Sequence, residues 1–93
     1  VHDLAVARRF YGDVFGLAEG RSSERWVDLD FFGHQLVLHV DPGKAARGRS
    51  HSNPVDGHDV PVPHFGVVLA WTRWEALAER LRSRGVEFVI EPY

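Results

Sequence analysis

Apolar residues near the start of the chain recur at three- and four-residue steps, which is the spacing of one face of an α-helix. The segment is residues 3–15, and Leu4 and Ala7 stand on its apolar face. Asp3 is a residue type that commonly caps a helix, and Gly16 follows as a typical stop. The pattern therefore predicts a helix between these two residues.

A second amphipathic helix is predicted over residues 72–84. Thr72 and Glu75 have the spacing of a capping box, and Gly85 follows the last turn. Cap, helix and stop coincide with those of the first helix when the chain is shifted by 69 residues. This agreement in both length and flanking signals predicts an internal repeat.

Between and after the helices, segments rich in β-branched and aromatic residues predict strands. The first two are separated by Gly33-His34, a sequence typical of a hairpin turn. Because helices and strands are both expected around one core, the predicted fold class is α+β. The predicted strands are residues 26–32, 35–40, 65–70 and 86–90.

Residues 41–63 carry four of the five prolines and are predicted to connect two units, at about residues 1–40 and 64–93, within a single domain. A connection of this length is usually functional or mobile, so we expect it to cover a site or to reach a partner subunit. The repeat shift puts the opening strand of the first unit and the closing strands of the second outside the sequence. Both units are therefore expected to be incomplete.

Composition excludes several classes of function. The formal net charge is −2 with mixed signs, which offers no basic face for nucleic acid. No apolar stretch reaches the roughly 18 residues that would span a membrane. With no cysteine there is neither a disulfide framework nor thiolate chemistry, as is typical of a reducing cytoplasm. We expect a cytoplasmic protein that binds or acts on a small molecule.

Six histidines in 93 residues are the main candidates for chemistry. Four of them lie beside a helix cap, in the predicted hairpin turn or in the long connection, where solvated polar side chains are expected. The seven-residue spacing of the two in the connection matches no compact metal motif. These four are His2, His34, His51 and His58.

His39 and His64 differ, because each lies in or beside a predicted strand made otherwise of apolar residues. Side chains two residues apart share a face of a strand. Bulky neighbours such as Leu38 and Phe65 are therefore expected to face the helices, and the two histidines to face the open side. Small or polar companions on that side leave room for a ligand. They are Gln35 and Val37 beside His39, and Gly66 and Val68 beside His64.

Two imidazoles on one open face predict a site for a divalent metal ion. Neutral imidazole is a common ligand of transition metals, and a catalytic site typically has three protein ligands with an open position. We expect the ligating nitrogens of His39 and His64 to lie roughly 3 to 4 Å apart. At least one further ligand is expected from outside the 93 residues.

The first helix carries the run DLAVARRFYGDVFGL, residues 3–17. It resembles the pattern D-L-x-x-A-x-x-F-Y-x-x-x-L-G of the vicinal oxygen chelate superfamily, with Phe15 in place of the usual Leu. This group comprises glyoxalases, bleomycin resistance proteins and extradiol dioxygenases. The likeness continues through residues 33–39, 63–69 and 84–88. It implies paired βαβββ units that form a curved mixed sheet with helices on its convex face.

In that superfamily each βαβββ unit supplies one metal ligand from its first strand and one from its last. The resemblance makes His64 the first-strand ligand of the second unit. It makes His39 the last-strand ligand of the first unit, a position where the family often has Glu. It also implies a divalent metal cofactor (Fe, Mn, Ni, Zn or Co) and a homodimer.

The expected function is that of a metal-dependent lyase, isomerase or dioxygenase that chelates vicinal oxygens of a small substrate. The alternative is a metal-free drug-binding protein of the bleomycin-resistance type, and a third reading is a purely structural module. Trp26 and Phe32 are expected in the substrate pocket, and with Phe31 they would form the walls of a binder. Glu87 and Glu91 are expected to be solvated strand charges.

Overall fold

The structure, a computed structural model, describes residues 1–43 and 52–93. It divides into two compact units, Val1–Arg47 and Gly48–Tyr93. The predicted α+β class is confirmed, with antiparallel sheets and helices. Within the described ranges, no helix is both long and apolar enough to cross a membrane. In chain order the elements are α1 (Leu4–Arg8), a π-helix (Arg9–Val14), β1 (Glu19–Ser22), β2 (Trp26–Phe31), β3 (His34–His39), β4 (Ser52–Val55), β5 (His58–Pro61) and α2 (Trp71–Ser83).

The first helical segment begins and ends where the sequence predicts. The side chain of Asp3 caps α1 by accepting a hydrogen bond from the backbone N–H of Val6 at 3.0 Å. α1 runs directly into the π-helix, after which the N–H of Phe15 donates to the carbonyl of Phe10 at 2.8 Å. The helical segment ends at Gly16, which has a φ of 83°. Glycine adopts this left-handed conformation readily. Local interactions therefore fix both ends.

Unit 1 contains a three-stranded antiparallel sheet in the order β1-β2-β3. β1 was not among the predicted strands, because its four residues are polar or glycine, all exposed, and show no apolar alternation. It pairs with β2 through Glu19 opposite Leu29 and Ser22 opposite Val27, with an irregularity between the two pairs. β2 is thus the central strand, and its side chains contact both neighbours.

The turn between β2 and β3 lies one residue earlier than predicted. It is Phe32-Gly33, with φ values of 54° and 88°, so His34 belongs to β3. Positive φ at both turn positions is typical of a type I′ turn, whose twist matches that of the strands it joins. The carboxylate of Asp30 accepts a hydrogen bond from the N–H of Gly33 at 2.7 Å. This contact helps to hold the hairpin in register.

One face of the sheet forms the hydrophobic core with the first helix. Val27 and Leu29 of β2 are 0% and 1% exposed, and Leu38 of β3 is 6% exposed. Ala7 of α1 belongs to the same cluster, so the helix packs on this face. Burying each such aliphatic side chain contributes about 1.5–3 kcal/mol. The predicted separation of β3 into a bulky face toward the helix and an opposite face is confirmed in unit 1.

Aromatic rings gather beside this core. The ring centroid of Phe15 lies 6.4 Å from those of Phe31 and Phe32 and 6.1 Å from that of Tyr11. Burial raises the pKa of the Tyr11 hydroxyl, because the charged phenolate would lose hydration. Phe31 and Phe32, expected as walls of a ligand pocket, instead pack against the core.

Unit 2 contains a hairpin inside the segment that the sequence predicts as a connection. β4 and β5 pair antiparallel, with Val55 opposite His58. Asp56-Gly57 forms the turn, with positive φ at both residues. Asp-Gly is a strong hairpin signal, but here prolines and polar residues surround it in place of alternating apolar residues.

α2 begins one residue earlier than predicted, at Trp71. The N-cap residue is Ala70, which makes no side-chain capping hydrogen bond, so the predicted capping box of Thr72 and Glu75 is wrong. The rings of Trp71 and Trp74 stack with centroids 5.0 Å apart, as residues three apart on a helix can do. Gly85 follows the helix in a positive-φ conformation, which confirms the predicted stop.

Two predicted strands, residues 65–70 and 86–90, are not strands in the structure. A strand needs a partner, and neither segment pairs with another strand in the described part of the chain. Phe65 is 61% exposed and Val68 is 98% exposed. The expectation that Phe65 is a core residue is therefore wrong here, because no strand pairing directs its side chain into a core.

Candidate functional site

The face of the first sheet opposite the core carries most of the site residues predicted in unit 1. Strand pairing sets Trp26 opposite His39 and Asp28 opposite Val37. Alternate residues of a strand share a face, so all four point away from the side on which Val27 is buried. We call this surface the open face. It comprises Trp26, Asp28, Asp30, Gln35, Val37 and His39.

His39 ends β3 and has an exposed side chain. Its backbone carbonyl accepts a hydrogen bond from the backbone nitrogen of Val1 at 2.8 Å. Directly paired strand residues have Cβ atoms about 4.5–5.5 Å apart, so the imidazole begins beside the half-buried Trp26. The backbone is thus held in place while the ring remains accessible to a ligand.

An ion pair that sequence reasoning missed lies beside Trp26. The Nε of Arg21, on β1, donates to Oδ2 of Asp28 at 3.2 Å. Asp28 is 8% exposed, whereas the side chain of Arg21 is 79% exposed. The guanidinium carbon of Arg21 lies 5.9 Å from the centroid of the Trp26 ring, within the range of a cation–π interaction. The sequence signal was a carboxylate in the middle of a strand whose neighbouring residues are apolar.

An open cleft of about 460 Å³ adjoins this ion pair. Gly20, Asp28, Asp30 and Gln35 are among the residues that line it. A Cβ at Gly20 would lie 3.5 Å from the Cβ of Asp28, so a larger side chain there would fill part of the space above the strand. The cleft combines a carboxamide and carboxylates with apolar atoms, a mixture that can orient a small ligand.

His64 lies in unit 2, between β5 and α2, and is exposed. Its Nδ1 is 2.9 Å from the carbonyl oxygen of Pro61. A carbonyl oxygen only accepts hydrogen bonds, so Nδ1 carries the proton and donates. With the proton on Nδ1, Nε2 is the nitrogen that can offer a lone pair to a metal ion, an arrangement in which histidine commonly binds metals. Gly66 and Val68, its predicted companions, are exposed as well.

Some of the other predicted polar residues have side-chain partners, and others are exposed. Glu91 pairs with Arg82, with 3.8 Å between Oε2 and Nε, and Glu87 is exposed. The ring of His58 stacks on that of Tyr93 at 5.4 Å between centroids. His2 and His34 are exposed, as expected for solvated side chains, and His51 lies outside the described residues.

The donor chemistry of His39 and His64 fits a transition metal. Each ring is exposed, and the hydrogen bond to Pro61 leaves Nε2 of His64 ready to donate a lone pair. In the described ranges, no cluster of three or more His, Cys, Asp or Glu side chains is placed to hold an ion. The two histidines belong to separate units, so the distance between them stays a prediction.

Unit 1 is thus an α+β unit, with a helix packed on one face of a three-stranded antiparallel sheet and an exposed histidine on the other. The chain belongs to the Glyoxalase/Bleomycin resistance protein/Dioxygenase superfamily, whose family model matches residues 1–93. The resemblance seen in the sequence is confirmed.

The chain is similar to the crystal structure of a glyoxalase/bleomycin resistance protein/dioxygenase from Alicyclobacillus acidocaldarius, with a TM-score of 0.63 and 24% sequence identity. The match covers 92% of this chain and 58% of that chain, so this chain spans little more than half of its length. At this identity the likeness establishes a glyoxalase-like fold. No curated protein matches the chain.

Proposed function

We propose that the protein is a metal-dependent lyase, isomerase or dioxygenase that binds a small substrate through two neighbouring oxygens. His39 and His64 are the proposed metal ligands. The observation that carries the proposal is the exposed side chain of His39 on the open face, next to Trp26 and on the opposite side of the sheet from the core. Family membership supports the same chemistry, because the superfamily includes glyoxalases and dioxygenases.

The two histidines are suited to this role for different reasons. His39 stands on a paired strand, which fixes its direction, and its backbone is anchored by the contact with Val1. His64 has its tautomer set by the hydrogen bond to Pro61. A catalytic site typically has three protein ligands, so the pair needs at least one further oxygen or nitrogen donor.

A divalent metal ion in such a site supplies Lewis-acid stabilisation of negative charge that develops on two adjacent substrate oxygens. The chain's own residues bind and orient the substrate. Trp26 offers a flat apolar surface beside His39, and Val37 continues that surface along β3. The carboxamide of Gln35, at the cleft, can donate and accept hydrogen bonds to a substrate oxygen.

The second candidate is a metal-free binding protein of the bleomycin-resistance type. The half-buried indole of Trp26 on the open face favours it, because an aromatic surface binds flat ligands without help from a metal. Phe31 and Phe32 no longer contribute to this proposal, because both rings pack beside the core. The two candidates differ in whether the histidines bind an ion.

Metal analysis of histidine variants tests the proposal. His39→Ala and His64→Ala are expected to lose the bound metal, measured by elemental analysis after loading and dialysis, while both remain folded by circular dichroism. His34→Ala is the matched control. It removes an exposed histidine from the same strand as His39, but by alternation from its other face.

The control is expected to retain metal in the same ratio as the wild-type protein. Full metal content in folded His39→Ala and His64→Ala would reject both ligand assignments. If the wild-type protein takes up no metal but binds small aromatic ligands, the metal-free binding protein becomes the better-supported function.

A further inference from the structure

We propose that Arg21 recognises an anionic group of the ligand, and that the ligand class is a small molecule bearing a carboxylate in addition to its metal-binding oxygens. The ligand class rests on the proposed function. The role of Arg21 does not, because the contacts of Arg21 lie wholly within unit 1.

Asp28 restrains the guanidinium of Arg21 but engages only one of its N–H donors. Its Nε donates to Asp28 at 3.2 Å, which accounts for one of the five N–H donors of an arginine. Within the described residues, no group accepts a hydrogen bond from either Nη atom of Arg21. Here the planar Nη edge is left for another acceptor.

Burial differs sharply between the partners. The side chain of Asp28 is 11% exposed and that of Arg21 is 79% exposed. The carboxylate therefore acts as an anchor below the surface of the sheet, and the cation is presented to solvent. Trp26 supports the guanidinium from a second direction, with 5.9 Å between the guanidinium carbon and the ring centroid.

Two contacts that restrain an arginine lower the entropy that it loses when it binds a ligand. A guanidinium held by its Nε presents its two Nη groups as a fork, which matches the two oxygens of a carboxylate. The geometry thus favours a planar two-oxygen anion over a neutral polar group.

The position of Arg21 also indicates the length of the ligand. Arg21 is on β1 and His39 is on β3, with Trp26 of the central strand between them on the same face. Neighbouring strands lie about 4.8 Å apart, so the two residues are separated by roughly 10 Å across the sheet. An aromatic ring with two adjacent oxygens at one end and a carboxylate at the other would lie over Trp26 and reach both.

Calorimetric titration with two matched probes tests the inference. The probes are 3,4-dihydroxybenzoate and its neutral isostere 3,4-dihydroxybenzamide, each titrated into the metal-loaded protein and into the same protein with EDTA. The wild-type protein is expected to bind the benzoate roughly tenfold to a hundredfold more tightly, because hydrogen bonds between charged groups are among the stronger ones.

Arg21→Gln is expected to bring the affinity ratio of the two probes close to one. Arg21→Lys is expected to keep a smaller preference, since it retains the charge but loses the fork. Arg25→Gln is the matched control. It removes the same charge from an exposed arginine in the neighbouring turn and is expected to leave the ratio unchanged.

The outcomes separate this inference from the proposed function. Equal affinities in the wild-type protein, an unchanged ratio in folded Arg21→Gln, or no binding of the benzoate in either buffer would overturn the role of Arg21. Binding of both probes that is indifferent to EDTA would overturn the metal-dependent function alone. In that case, a preference for the benzoate that disappears in Arg21→Gln would still establish the anion site.

Discussion

Two neighbouring residues on β3, Leu38 and His39, allow a direct test of which side chains face the core and which lie on the open face. Leu38 is 6% exposed and belongs to the core cluster, whereas His39 is exposed on the open face. Truncation of each to alanine removes adjacent side chains from opposite sides of one strand. Leu38→Ala should therefore damage stability, and His39→Ala should damage metal binding.

The expected magnitudes differ enough to be separated. Truncation of a buried leucine costs about 2–5 kcal/mol, while a chain of this length has a total stability of roughly 5–14 kcal/mol. Leu38→Ala should thus lower the melting temperature by about 8 °C or more. His39→Ala should change the stability of the metal-free protein by no more than about 0.5 kcal/mol, as is usual for an exposed side chain.

Added metal ion distinguishes the two variants in a second way. An ion at 100 times its Kd stabilises the folded protein by about 2.7 kcal/mol, because it binds only the folded state. Wild-type protein and Leu38→Ala should show this gain, and His39→Ala should not.

Urea unfolding followed by circular dichroism, with EDTA and then with added Zn²⁺, measures both effects when the slope is unchanged. A loss of stability in metal-free His39→Ala as large as that in Leu38→Ala would refute the assignment of faces. A full zinc gain in His39→Ala would refute its role as a ligand.

Three further outcomes are expected. Asp3→Ala should lower stability by about 0.5–2 kcal/mol in thermal melts, because the N–H of Val6 loses its cap, and an unchanged melting temperature would show that the cap is dispensable. Because burial raises the pKa of Tyr11 above its ordinary 10.0, the stability that it contributes is complete below pH 10 and is lost as the pH rises through the folded value. Melts of Tyr11→Phe and wild-type protein between pH 9 and 12 should therefore diverge, and parallel curves would contradict this. The protein should be a homodimer in light scattering at micromolar concentration, since edge strands β1 and β3 gain from pairing across a two-fold axis, and a monomeric mass would count against it.

The parts of the fold that the sequence predicted well are those specified locally. The cap at Asp3, the stops at Gly16 and Gly85 and the two faces of β3 all follow from neighbouring residues or from alternation along one strand. The start of α2 differs from the prediction by one residue, and Trp71, now the first residue of the helix, stacks on Trp74. A capping motif predicts where a helix starts only to within one or two residues.

Features that depend on distant pairing were harder to predict. β1 consists of Glu, Gly, Arg and Ser, and it is a strand only because β2 accepts its hydrogen bonds. Residues 65–70 have the composition of a strand but lack a partner in the described ranges. For the same reason the sequence predicts His39, because β3 has an apolar pattern typical of a strand. It does not predict Arg21, because β1 has no such pattern.

Asp28 connects the fold to its proposed chemistry. A carboxylate that is 8% exposed in the central strand loses most of its hydration, and its contact with Arg21 at 3.2 Å offsets part of that cost. An apolar residue of similar size would commonly be neutral or stabilising at such a position. Departures from local rules tend to occur where function requires them. The position of Asp28, beneath a restrained arginine and beside Trp26, therefore supports the proposed binding of an anion at the open face.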